Sequence, residues 1–112
     1  MPNILFICSR NQWRSPTAEA IYRGRPDTVV KSAGTEPTAR IKLSAKLVLW
    51  ADVIFAMEKE HKQRLIEKFP LETMEKEIVV LNIPDEYEFM DPELIDTIKG
   101  TAGPYMDEYC GI

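Results

Sequence analysis

Cys8 and Arg14 share the stretch C-S-R-N-Q-W-R-S, with Arg10 between them and Ser15 directly after. A cysteine sulfur attacks as the thiolate, a form that nearby cations and helix N-termini favour. An arginine presents a planar fork that fits two oxygens of a phosphate. Where a strand turns into a helix, successive backbone N–H groups converge on an anion, and the helix dipole reinforces them. These residue types at this spacing describe a sulfur nucleophile facing a bound tetrahedral oxyanion, with no histidine base required. The C-x5-R pair alone is a weak signal, and the plain alternative for Cys8 is a buried free thiol. Context supplies the specificity: an apolar run ends at the cysteine, a polar loop follows, and a helix start comes next.

The elements that must position this loop follow from periodicity. Asn3 to Ile7, NILFI, reads as a short buried strand that delivers Cys8 at its carboxyl end. Ser15 as N-cap, Pro16 in the first helical position and Glu19 as an early acid predict a helix start. Ala18, Ile21 and Tyr22 continue that helix until GRPD breaks it. A second strand is expected from Val29 to Ser32, stopped by Gly34, with a loop through EPTARIK. Leu43, Leu47 and Trp50 recur at helical intervals, so Ser44 to Trp50 reads as a helix with Trp50 in the core. Asp52 to Met57 is a third strand. EKEHKQRLIEKF is a helix with Met57 or His61, Leu65, Ile66 and Phe69 toward the core, although His61 in so charged a segment is expected at the surface or half-buried. Glu77 to Ile83 is a fourth strand, and MDPELIDTIK a last helix with Asp91 as N-cap. The tail from Gly100 to Ile112 carries two glycines before Pro104 and gives no clear reading, and Cys110 has no visible partner. The alternation predicts an α/β fold in three layers, α/β/α, around a four-stranded parallel sheet. Ligands of such sheets bind beyond the carboxyl ends of the strands, where Cys8 is expected.

With 112 residues the chain is sized for one domain, residues 1–112. A formal net charge of −4 argues against a general binder of nucleic acid or anionic membrane. No apolar run approaches the length of a transmembrane helix. The N-terminus enters a strand directly, without the pattern of a signal peptide, so a cytoplasmic setting is expected. Cys8 and Cys110 are too few for a disulfide framework, and the single His61 completes no metal-ligand spacing, so no metal and no cofactor are expected.

ILFICSRNQWRSPTAEA resembles the signature of the low-molecular-weight protein tyrosine phosphatase family, C-x5-R-S-P after the first strand. SAGT at Ser32 to Thr35 and ADVIFAM at Ala51 to Met57 also resemble family segments. The resemblance covers most of residues 3–99 and implies a flavodoxin-like sheet of order 2-1-3-4. It implies that Cys8 is the nucleophile, and that Arg14 and the N–H groups of the loop (Ser9, Arg10, Asn11, Gln12, Trp13, Arg14 and Ser15) hold a phosphoryl group. Ser15 would hydrogen-bond the sulfur, and Asn11 would brace the loop, in part through Ser32. Two departures stand out. Arg10 replaces the usual glycine, an expected backbone cost, and Trp13 replaces a common second cysteine, either as a wall of the site or as a loop anchor.

A phosphate monoester also needs its leaving oxygen protonated, a task for a carboxylic acid. Asp85 follows the fourth strand in IPDEY, and Asp91 lies in MDPEL. The family places its acid in an Asp-Pro-Tyr segment, which either aspartate matches in part. Asp91 already has a structural task as N-cap, so Asp85 is the preferred acid and Asp91 the alternative. Tyr87 would line the mouth and contact an aromatic substrate, or simply pack on the surface. The expected activity is phosphomonoester hydrolysis through phosphocysteine, with a phosphorylated protein or small aryl phosphate as substrate and inorganic phosphate as product. A cysteine phosphocarrier and a non-catalytic phosphate- or phosphopeptide-binding module are the alternatives, and arsenate reduction is disfavoured for want of further nearby cysteines.

Overall fold

The apolar run at the N-terminus forms the strand around which the other elements assemble. The computed structural model describes residues 2–109. Its elements are β1 Asn3–Cys8, α1 Arg14–Tyr22, β2 Val29–Gly34, α2 Ala45–Trp50, β3 Val53–Ala56, α3 Lys59–Lys68, β4 Glu77–Val80 and α4 Pro92–Tyr109. The sheet order is β2-β1-β3-β4, and every pairing is parallel. β1 therefore has a partner on each side, and Cys8 pairs with Gly34 at the carboxyl edge. The chain leaves β1 for one neighbour, then crosses back to the other, which places the topological switch point at Cys8.

Alternating side chains of β1 divide the core. Ile4, Phe6 and Cys8 pack with Ala18 and Tyr22 of α1 and with Leu94, Ile98, Ala102 and Met106 of α4. Leu5 and Ile7 face the other way, toward Val48 of α2 and Leu65 of α3. The expected three layers and strand order are thus present. Among the described residues no helix is long and apolar enough to cross a membrane.

Several local expectations are corrected. Helix α1 starts at Arg14, with Trp13 in the N-cap position and no side-chain cap. Ser15 does not cap because its hydroxyl is engaged by Cys8 and Asn11. Pro16 sits in the first turn, where its missing N–H costs no helical bond. Strand β2 runs on through Gly34. In α2 the buried residue is Val48, whereas Leu47 and Trp50 pack only partly against the core. Glu58 caps α3 in a reciprocal box with His61. His61 is buried, at 2% exposure, while Ile66, expected in the core, is 41% exposed. β4 ends at Val80 although Leu81 and Ile83 still donate to Ala56 and Met57, because Asn82 adopts φ 57° and interrupts the pleat. Where the sequence had no clear reading, α4 continues through Gly100, Gly103 and Pro104 to Tyr109. Leu94, Ile98, Ala102 and Met106 keep one stripe buried along it, which offsets the bond lost at Pro104. Asp91 caps this helix as expected, its Oδ1 accepting the Glu93 N–H at 2.9 Å. Cys110 lies outside the described residues.

Phe55 of β3 is fully buried and stacks on Phe6, ring centroids 5.1 Å apart. Phe55→Ala is expected to cost about 3–5 kcal/mol, measured as a fall in the urea midpoint of unfolding.

Candidate functional site

The loop after β1 is held by its carbonyl groups. Cys8, Ser9 and Arg10 accept hydrogen bonds from the N–H groups of Thr35, Glu36 and Arg40 at 2.9, 2.9 and 3.0 Å. The Asn11 carbonyl accepts from the Arg40 guanidinium at 3.0 Å. With the carbonyls turned toward residues 35–40, the amides face the opposite side. Among the described residues, no N–H from Ser9 through Trp13 donates to a protein acceptor. Such a row of unspent donors at the start of a helix is an anion site.

This close approach needs Gly34. A Cβ there would lie 2.5 Å from the Ala39 Cβ and 2.6 Å from the Ser9 carbonyl oxygen. It also needs a left-handed residue, which is Asn11 at φ 56°. Asparagine tolerates that region better than most residues. Arg10 is not among the described residues with positive φ, so the expected backbone cost there does not arise. Its side chain turns outward, 3.4 Å from Glu36.

Beneath the loop runs a chain of buried hydrogen bonds. The Asn11 amide donates to Ser15 Oγ and to Ser32 Oγ, both at 2.9 Å. Ser32 donates onward to the Glu19 carboxylate. Because Ser15 Oγ accepts from Asn11, its own proton is available for Cys8 Sγ, 2.9 Å away. The sulfur thus has a hydroxyl donor held in place by a network that ends on a carboxylate.

Arg14 is only 3% exposed. Its Nη1 donates to Glu58 Oε1 at 2.5 Å and to the Ile83 carbonyl at 2.8 Å. Among the described residues, Nε and Nη2 donate no hydrogen bond to protein, and Nε lies 3.8 Å from Asp85 Oδ1. One edge of the guanidinium is fixed to the fold while the two-pronged edge stays available. Cys8, Ser9, Arg10, Gln12, Trp13, Arg14 and Asp85 line one pocket. Trp13 is 44% exposed there, and its carbonyl also accepts the Thr17 N–H of α1, so it serves as both wall and anchor.

The structure thus brings together Cys8, Arg14, Asp85 and the loop, with Asn11, Ser15 and Ser32 beneath. Asp91 stands apart as the cap of α4, and Tyr87 is half-buried against the α1 and α4 cluster, outside the lining of the pocket. Two residues were missed by sequence reasoning. Glu58 is the partner of Arg14, and His61 contacts both Glu58 and the loop through Ser9. Their only sequence signal is the E-x-x-H spacing directly after a strand, which is a capping-box arrangement with histidine in place of glutamate. Burial, with Arg14 adding to it, pushes the His61 pKa down to about 4.

No protein-family model matches the chain. Over an alignment 114 positions long it is 33% identical to the low molecular weight protein-tyrosine-phosphatase Wzb of Escherichia coli K12, covering 80% of this chain and 77% of the relative. It is 32% identical over 91 residues to a protein-arginine-phosphatase of Geobacillus stearothermophilus, covering 60% of this chain and only 62% of that protein's length. Among solved structures, Vibrio vulnificus Wzb in complex with benzylphosphonate superposes with a TM-score of 0.78 at 21% identity, covering 96% of this chain and 98% of the other.

Inorganic phosphate is expected to shift the backbone amide resonances of Ser9 through Trp13 more than any others. Gly34→Ala, which drives a methyl into the Ser9 carbonyl, should retain the far-ultraviolet spectrum of the fold and weaken phosphate binding at least tenfold, read from the same titration.

Proposed function

The chain belongs to the low molecular weight protein-tyrosine-phosphatase family, and from that premise we propose that it hydrolyses phosphate monoesters through a phosphocysteine intermediate. One observation carries the reading: Cys8 lines a pocket together with Ser9, Arg10, Gln12 and Trp13, whose amides are unspent, the free edge of Arg14 and Asp85. A phosphoryl group seated on those donors presents its phosphorus to the sulfur.

In the first step Cys8 Sγ, as thiolate, forms a bond to phosphorus while the bond to the ester oxygen breaks. The Asp85 carboxyl gives its proton to the departing oxygen. In the second step a water attacks phosphorus, Asp85 takes a proton from it, the S–P bond breaks and phosphate leaves. Charge on the equatorial oxygens is balanced throughout by Arg14 and the loop amides, the largest share of catalysis in such transfers. Ser15 supports the sulfur as nucleophile and again as leaving group. Asp85 is favoured as the acid because it lines the pocket and is 59% exposed, free to meet both substrate and water, whereas Asp91 already spends Oδ1 on α4. The substrate in this reading is a phosphorylated protein or a small aryl phosphate met in the cytoplasm. Trp13 offers an aromatic wall for the ring, while a relative named for arginine makes phosphoarginine the second substrate class to assay.

A phosphocarrier would hold its phosphoryl group until a partner took it, and a binding module would show no turnover. Hydrolysis of an aryl phosphate by the wild type, lost in Cys8→Ser, insensitive to chelators and competed by phosphate, is the expected result. Asp85→Asn should lower kcat by about 10²–10⁴, more for a poor leaving group than for a good one. A larger loss in Asp91→Asn would transfer the acid role to that residue.

A further inference from the structure

We propose that His61 is a positioning residue: as the neutral imidazole it couples Ser9 of the loop to Glu58, the carboxylate that fixes Arg14, and its protonation uncouples them. The inference rests on the reading of residues 8–14 as an oxyanion site.

The tautomer follows from the partners. Nδ1 lies 3.0 Å from the backbone N–H of Glu58 and accepts from it, so that nitrogen carries no proton. The proton is therefore on Nε2, which donates to Ser9 Oγ at 2.9 Å. In return, the backbone N–H of His61 donates to the Glu58 carbonyl at 3.1 Å, and the Glu58 carboxylate receives Arg14 Nη1. One ring and one carboxylate thus tie together the loop, the start of α3 and the guanidinium. Both ring nitrogens are satisfied, and the ring is buried at 2% exposure.

An added proton at Nδ1 would face the Glu58 N–H, donor against donor. Of the two carboxylates that face the ring, Glu58 acts on it more strongly than Asp85, and a Glu58 carboxylate drawn to that proton would leave Arg14. The charged groups that face the ring are Arg14 from α1, Glu58 and Arg64 of the α3 segment, and Asp85 after β4. Burial and then Arg14 oppose the imidazolium, and the two carboxylates favour it only partly. The sign follows. The unfolded chain takes up this proton below about pH 6.5, while the folded chain resists until about pH 4. The stabilisation is present in full above pH 6.5 and is lost as pH falls through that window.

The test uses inorganic sulfate, a tetrahedral dianion whose charge is constant between pH 4 and pH 7, titrated against the full chain by NMR. Wild type should weaken its grip on sulfate as the His61 ring protonates, and ring nitrogen shifts should report the Nε2–H tautomer at pH 7. His61→Ala should bind about tenfold more weakly at pH 7, the scale of one or two lost hydrogen bonds. His61→Gln keeps a donor and an acceptor but cannot gain a proton. Its affinity should lie between the two and lose the acid-side fall that tracks the ring. Parallel acid-side falls in wild type and His61→Gln, wild-type affinity in a folded His61→Ala, or an Nδ1–H tautomer would each overturn the coupling. If wild type binds no sulfate at all, the oxyanion site and this proposal fall together. If sulfate binding follows His61 but no phosphate ester is turned over, the hydrolytic reading falls and the coupling stands.

Discussion

The site depends on which way one short stretch of backbone faces. From Cys8 to Asn11 each carbonyl is taken by the segment from Thr35 to Arg40. A peptide unit is planar, so fixing its oxygen on one side fixes its N–H on the other. The amides that line the pocket are held there by bonds made behind them. Ordered donors of this kind need little reorganisation when an anion arrives, which is what gives preorganised dipoles their effect. The arrangement asks for two particular residues: Gly34, which lets two backbones touch, and Asn11, which turns the loop through left-handed space.

Arg14 follows the same logic with a side chain. A buried guanidinium needs partners for its charge and its protons. Glu58 and the Ile83 carbonyl supply them at Nη1. This fixes the plane of the fork and leaves the other edge toward the pocket. The position of β3 and β4 beside β1 thus reaches the chemistry directly, because Glu58 follows β3 and Ile83 follows β4. A fold with these strands exchanged would give Arg14 different neighbours.

Much of this was legible in the sequence. The alternation of apolar strands with helix starts gave the layers, the loop pattern pointed to Cys8 and Arg14, and the family resemblance pointed to Asn11, Ser15 and Ser32, which the structure joins to Cys8 in one chain of hydrogen bonds. Other features were hidden for physical reasons. Ser15-Pro16 has the composition of a helix cap, but the hydroxyl bonds to sulfur instead, and the N-cap position falls to Trp13. Gly100, Gly103 and Pro104 read as punctuation, yet the fourfold spacing of Leu94, Ile98, Ala102 and Met106 binds that segment to the sheet and overrides local preference. Glu58 and His61 sit in a charged run that reads as solvated, and only the packing of α3 against the loop reveals that their polar atoms are spent on each other and on the site.

The interruption at Asn82 has a consequence away from the pocket. β4 is an outer strand, paired only with β3, and it remains regular only from Glu77 to Val80. A long flat border of this kind would offer a template on which further chains could add strands and aggregate. Here the left-handed turn twists the chain out of register after one short run, leaving little straight edge for another molecule to extend. The same asparagine that ends the pleat therefore also shortens this border of the sheet.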